Sequence, residues 1–502
     1  LYEAAVCGGL FGPIRVGGGK TLLSLLLPVV LGSKRPLLLL PAKLVDKTKR
    51  EMVALARHWK IPTFLRIESY ELLSRLQHAR MLEKYRPDLI IPDEAHKLRH
   101  RKTAVTKRFA RYLHEHPETK VCALSGTITK RSLRDYEHII RWCLKPLNNP
   151  VPNNHGEIED WADCLDEHNR ERVEPGALVI WTDGDPTLSV VRAAFRSRLV
   201  ETCGVVSTVD SRVACSLVVR AARYEVSTEA AFQRLRDLWE TPNGEPLTDG
   251  MSVWRHAREL ALGFFYRWKV PAPTEWLAAR KAWAQTCRKI LGSNQRQLDS
   301  ELAVIRATEQ GHYPHAVPLL RDWRAIKDTF EPDTVAEWLC TRPVEYTAEW
   351  ARQHTGIVWT EHVAFANKLA ELSNLRYYGR NGLDDAGRYI EAHDKDWSMI
   401  ASVPSNSEGR NLQAWSRGLV VSCPPNGSQI EQLLGRMHRD GQEADEVIYD
   451  VMLGCAEHLD AFWKAFRDSH YVQQTTGAEQ KLLIAGIDIP PEIDTDNAFW
   501  QR

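Results

Sequence analysis

The chain has 502 residues, of which 43% are hydrophobic and 26% charged, and its formal net charge is +1. That length gives room for about two to four domains and a substantial core. A charge so close to zero excludes a global field that draws in a polyanion, so nucleic-acid binding requires a local groove.

No apolar run reaches the ~18–20 residues of a membrane span. The longest, Leu22 to Leu31, reads as a buried helix. The 10 Cys include no C-x-x-C pair, so the spacing of a structural zinc site is missing. Reduced, packed thiols in a cytoplasmic protein are expected. The chain opens on Leu1 rather than Met, with no secretory leader before its first motif, so a lost N-terminal segment is expected.

In chain order, the first motif is Gly17-Gly18-Gly19-Lys20-Thr21, followed by the apolar helix. Glycines let backbone N–H groups turn onto phosphate oxygens, and a helix N-terminus adds positive potential. Lys20 then contacts the β- and γ-phosphates, and Thr21 holds Mg²⁺. Ile14 stands where the full loop pattern has Gly, and read alone a Gly-rich turn is also an ordinary loop.

Leu37 to Leu40 is a strand, Val45 to His58 a helix, Phe64 to Ile67 a strand and Glu71 to Lys84 a helix. Lys43, in Leu40-Pro41-Ala42-Lys43-Leu44, and Ser69 and Tyr70, in Glu68-Ser69-Tyr70-Glu71, sit at strand-to-helix turns that can grip nucleic-acid phosphates. The strand Leu89-Ile90-Ile91 leads through Pro92 to Asp93-Glu94-Ala95-His96. Acids at the carboxyl end of a parallel strand face the ligand crevice. Asp93 is expected in the Mg²⁺ shell and Glu94 on the attacking water; the bland alternative is a helix cap. The strand Val121 to Leu124 precedes Ser125-Gly126-Thr127, a turn that can relay hydrogen bonds.

Residues 148–154 are rich in Pro and Asn and mark a lobe boundary. Ser216 to Val226 is strand-like. Thr228 to about Ala307 is helical and rich in Trp and Arg, an insertion in which Trp276 to Trp283 read as core, with base stacking as the alternative. Alternation then returns. Ile357 to Trp359, Met399 to Ala401, Leu419 to Val421 and Val447 to Met452 are strands, and Val363 to Leu372 and Ile430 to Met437 are helices. Gly409-Arg410-Asn411 precedes the last strand pair. Gln432-Leu433-Leu434-Gly435-Arg436-Met437-His438-Arg439-Asp440-Gly441-Gln442 puts Arg436 and Arg439 on one helix face, able to reach a γ-phosphate from an opposing lobe.

This ordered set resembles the superfamily 2 DEAD/DEAH-box helicases, and His438 to Gln442 look most like the Swi/Snf-type branch in its compact bacterial or phage form. Trp254 to Tyr266, with Arg255 and Arg258, is similar to that branch's helical stretch between lobes. The resemblance implies an α/β fold of two RecA-like parallel-sheet lobes (a P-loop NTPase) with a helical insertion. The expected bounds are lobe one at 1–147, a linker and start of lobe two at 148–227, the insertion at 228–345, lobe two at 346–470 and a tail at 471–502.

It further implies ATP and Mg²⁺ as cofactors, with Gly17, Gly18, Gly19, Lys20 and Thr21 on nucleotide and Thr21 and Asp93 on the metal. Glu94, Asp93, Arg436, Arg439 and Gln432 become the catalytic set. His96, Ser125, Thr127, Gly409 and Asn411 couple hydrolysis to movement, and Arg410, which replaces the expected residue, either adds a nucleic-acid phosphate contact or weakens the loop. The family's adenine-reading glutamine has no counterpart between Leu1 and Arg15. The implied activity is a monomeric, ATP-driven DNA helicase or translocase in the cytoplasm of a bacterium or phage-infected host. The alternatives are an RNA helicase of the Asp-Glu-Ala-His type and a nucleotide-gated DNA-binding module.

Overall fold

The computed structural model describes residues 1–490 apart from 16, 102, 127, 129–131, 145–148, 167–173, 209–212, 214, 225, 294–297, 299–300 and 332. Five strands build the first sheet: β1 (Leu10–Gly12), β2 (Pro36–Leu40), β3 (Arg66–Ser69), β4 (Leu89–Pro92) and β5 (Lys120–Leu124). Their order is β1-β5-β4-β2-β3, and every pair is parallel.

These strands are apolar without alternation because helices cover both faces. Leu37, Leu39 and Ile90 enter one core and Leu38, Leu40, Leu89 and Ile91 the other. Pro92 faces Leu39 and has no N–H to donate, so the ladder resumes one residue later, where Asp93 N–H donates to Leu39 O at 3.0 Å.

The second sheet has seven strands: β6 (Ser216–Ala222) and, beyond the inserted antiparallel pair β7 (Phe264–Trp268) and β8 (Thr334–Trp338), β9 (Ile357–Thr360), β10 (Tyr377–Tyr378), β11 (Met399–Ser402), β12 (Arg417–Val420), β13 (Glu446–Met452) and β14 (Gly486–Asp488). Its order is β10-β11-β9-β12-β13-β6-β14, again all parallel. The molecule is therefore two RecA-like lobes carrying an insertion that is mostly helical. Among the described residues no helix is long and apolar enough to cross a membrane.

Several expectations are corrected by packing. The segment placed in a linker carries helices His155–Leu165 and Leu188–Glu201, whose Ile158, Leu165, Phe195 and Leu199 join the core of lobe one. The segment expected as a tail continues the helix Ala456–Thr476 and adds β14 to the edge of the second sheet beside β6. Within the stretch expected to be helical, Phe264 to Trp268 form β7, paired with β8. Trp276 and Trp283 are buried in the insertion's own core. Not all thiols are reduced: Cys7 and Cys203, 196 residues apart, form a disulfide, while the other eight are free.

Lobe one also buries His138, whose Nε2–H donates to Leu98 O at 3.0 Å. Burial outweighs that bond and pushes the imidazole pKa down to about 4. Between that value and the unfolded ~6.5, the unfolded chain binds a proton that the folded chain refuses. This contribution to stability is complete above pH ~6.5 and is lost as pH falls, by about 2–3 kcal/mol near pH 4.5. Urea melts at both pH values test it, with a shallower pH dependence expected for His138→Gln than for the parent.

Candidate active site

The Gly-rich turn owes its conformation to two left-handed residues, Gly17 (φ 86°) and Gly19 (φ 76°). A Cβ at either would meet no atom within 4 Å, so an open cradle lies above them. Gly18 is glycine for another reason: its Cβ would fall 2.6 Å from Ile14 Cγ2, so Ile14 occupies the space beneath the turn. Lys20 opens the helix Lys20–Val30, and its Nζ donates to Ile14 O and Arg15 O, both at 3.1 Å. The loop thus holds its cation with its own carbonyls, at the positive end of an 11-residue helix.

At the end of β4, Asp93 is buried and Glu94 takes a left-handed conformation (φ 55°) that non-glycine residues rarely adopt. Asp93 Oδ1 accepts from Glu94 N–H at 3.0 Å, and Tyr70 O–H donates to Asp93 O at 2.8 Å. Neither acid caps the following turn, so the bland reading of this motif fails. His96 Nδ1 lies 3.3 Å from Glu94 Oε2 and 3.2 Å from Ser125 Oγ, and Ser125 Oγ lies 3.5 Å from the same carboxylate oxygen.

Burial, and then the neighbouring Glu94 charge, raise the Asp93 pKa; Lys20 opposes them. Burial also works against the Glu94 charge, but the His96 hydrogen bond and Lys20 outweigh it, so the Glu94 pKa falls. Within this coupled pair a proton therefore binds Asp93 in preference to Glu94.

Lobe two supplies the opposite wall. Its helix Gly427–Leu434 stops at Gly435, so Arg436 and Arg439 lie in the turns beyond it and not on a helix face. Both nonetheless line one cleft of about 450 Å³ with Gly17, Gly19, Lys20, Thr21, Asp93, Glu94, Gly409 and Asn411. Arg436 is 5% exposed; its Nε donates to Gln432 O at 2.8 Å and its Nη1 to Arg410 O at 2.9 Å. Arg439 Nη1 donates to Asn411 Oδ1 at 2.7 Å, and its buried Nε has no partner among the described residues. Burial, then the adjacent Arg439 charge, push the Arg436 pKa down to about 10. Two guanidiniums short of counter-charge form a site for an anion.

Other expected site residues lie elsewhere. His96 and Ser125 stand behind Glu94. Gln432 is buried away from the cleft lining, and Thr127 lies outside the described residues. The four expected nucleic-acid contacts are all engaged internally. Lys43 Nζ pairs with Glu408 Oε2 of the other lobe at 2.6 Å. Ser69 caps a helix by accepting from Leu72 N–H, and Tyr70 is buried. Arg410, 7% exposed, turns to Glu391 at 3.3 Å and to Asn381 O, so it does not face a phosphate.

Sequence reasoning missed the inter-lobe contacts. Lys47, one helical turn beyond Lys43, lines the cleft and donates to Gly409 O. A Cβ on Gly409 would collide with Leu44 Cδ2, which is why the loop passes so close to lobe one. The (i, i+4) lysines were the available signal. His438 is buried, with Nε2–H donating to Cys215 O at 3.0 Å and Nδ1 accepting from Lys481 Nζ at 3.2 Å. The adjacent Gln480 reaches Gly126 O of lobe one at 3.4 Å.

No family model matches the chain. It is similar to the RNA polymerase-associated protein RapA of Sodalis glossinidius (strain morsitans), with 23% identity over 382 residues. The match covers 72% of this chain and 35% of that protein, so the chain spans about a third of the length of the curated relative it matches.

Proposed function

We propose that this chain is an ATP-dependent nucleic-acid motor of the superfamily 2, Swi/Snf-like type, hydrolysing ATP to ADP and phosphate while it moves on duplex DNA. The observation that carries the reading is the single cleft on which Lys20, Asp93 and Glu94 of one sheet meet Arg436 and Arg439 of the other. The distant likeness to RapA supports it.

The donor set fits both groups. The open cradle at Gly17 and Gly19 has room for phosphate oxygens, and the buried acid at Asp93 lacks a full counter-charge. Thr21 and Asp93 would hold Mg²⁺, which supplies positive charge to the phosphate oxygens when bound. Lys20 exchanges its two loop carbonyls for phosphate oxygens. Glu94, kept ionised by His96, orients the attacking water and takes its proton. Arg436 and Arg439 stabilise the charge on the transferring phosphoryl group.

Hydrolysis then requires both lobes together, which couples turnover to lobe movement. The test is ATP hydrolysis without polymer and with duplex DNA, single-stranded DNA or RNA. Stimulation by duplex DNA is expected. Preferential stimulation by RNA moves the reading to an RNA helicase, and absence of turnover with every polymer overturns the motor.

The Lys43–Glu408 pair joins the lobes beside this cleft, with the Glu408 side chain 11% exposed. Glu408→Gln removes about 1 kcal/mol of closure. A roughly fivefold rise in KM for ATP is expected, with kcat little changed, because closure is completed on binding. Steady-state kinetics at saturating duplex check it.

A further inference from the structure

The expected nucleic-acid residues are all occupied within the fold, so the grip on a polyanion has to come from elsewhere. Residues 75–111 hold eleven Lys and Arg against four Asp and Glu, a local charge of +7 in a chain whose total is +1. Two of those acids, Asp93 and Glu94, face the cleft.

The fold gathers part of this charge on one surface. Arg108 of the helix Ala104–Glu115 donates from Nη1 to Leu73 O at 2.5 Å and Arg75 O at 2.8 Å. Arg111 donates to Ala79 O at 3.0 Å and pairs with Glu83. These bonds staple the segment 73–83 along the helix. Arg75 and Arg80 on that segment, Lys84 directly after it, and Lys107 one turn before Arg111 are all exposed. None of the four has an acidic partner among the described residues.

We propose that this surface, on the segment 75–84 and the helix Ala104–Glu115, binds the phosphate backbone of a nucleic-acid duplex. The inference rests on the motor reading of the cleft and names where the polymer is held. Duplex is favoured because, among the described residues, no large hydrophobic side chain from 65 to 179 is exposed. Surfaces for single strands add aromatic platforms on which bases stack, whereas a purely cationic surface reads backbone.

The test is fluorescence-anisotropy binding to a labelled duplex and to a single strand of the same sequence, without nucleotide and across a salt series. The variant Arg75→Gln/Arg80→Gln/Lys84→Gln/Lys107→Gln is compared with a charge-matched control, Arg321→Gln/Arg324→Gln/Arg342→Gln/Lys395→Gln, on exposed residues elsewhere. Thermal melts establish that both fold, and the pair Arg80→Gln/Lys107→Gln replaces the quadruple variant if that one does not. Duplex affinity is expected to fall at least tenfold for the patch variant and less than threefold for the control. The salt slope should shrink by up to ~0.9 per neutralised contact. Equal losses for both variants, no loss, or a loss confined to the single strand overturns the proposal. Binding is read without ATP, so a chain that hydrolyses nothing yet loses duplex affinity in the patch variant contradicts the motor and leaves this surface standing.

Discussion

Glu94→Gln is expected to lower kcat by about 10³-fold or more while leaving ATP binding within about threefold of the parent. A positioned general base contributes roughly 10²–10⁴ in rate. The substitution keeps the shape of the side chain and removes its charge. It also replaces the charged acceptor for His96 with a weaker amide oxygen and leaves Asp93 without the neighbouring charge that raises its pKa. Asp93 should then ionise more readily, so metal-dependent ATP binding should persist or tighten. That pairing of intact binding with lost turnover separates a catalytic role from a structural one. Stopped-flow binding of a fluorescent ATP analogue alongside steady-state hydrolysis reads both. Retention of more than a tenth of the parent's kcat, in a folded protein, removes Glu94 from the chemistry.

Removal of Arg439 is the second large effect. An arginine acting from the opposing lobe is worth roughly 10³–10⁵ in turnover. Arg439 is the cleaner of the two positions. Arg436 holds the loop at Arg410 and its own helix end through two backbone carbonyls, so its loss also loosens the fold. Arg439 donates through one nitrogen, to Asn411 Oδ1 at 2.7 Å and over a longer 3.3 Å to Arg410 O, and its Nε has no partner among the described residues. Arg439→Ala is expected to cut kcat about 10³-fold with a thermal midpoint close to the parent's. Arg439→Lys restores little, because an ammonium keeps the charge and loses the planar fork. Full rescue by Lys would reduce the role of Arg439 to bulk electrostatics.

Legibility followed the range of the interactions. Loops whose chemistry is local, such as Gly17 to Thr21 and Asp93 to His96, were readable because their spacing already places backbone and carboxylates at a strand end. The helical placement of Arg436 and Arg439 failed because Gly435 ends the helix there, and Lys481 of the C-terminal segment holds the following turn at His438. Arg410 looked free for a phosphate because its partners, Glu391 and the carbonyl of Asn381, come from a loop some twenty to thirty residues earlier. The insertion was misread near Phe264 because β7 is held by β8, about seventy residues away.

By itself the sequence determined the two parallel-sheet lobes, since uninterrupted apolar strands such as Leu37 to Leu40 and Leu419 to Val421 are stable only with both faces covered. It also determined the chemical identity of the cleft residues, which local spacing carries. Only the tertiary structure decided which charges remain for a partner. Lys43, Lys47 and Arg410 are consumed by acids and carbonyls distant in the chain, whereas Arg75, Arg80, Lys84 and Lys107 are left facing solvent. Whether a cation is free depends on what folding brings beside it, and composition cannot reveal that.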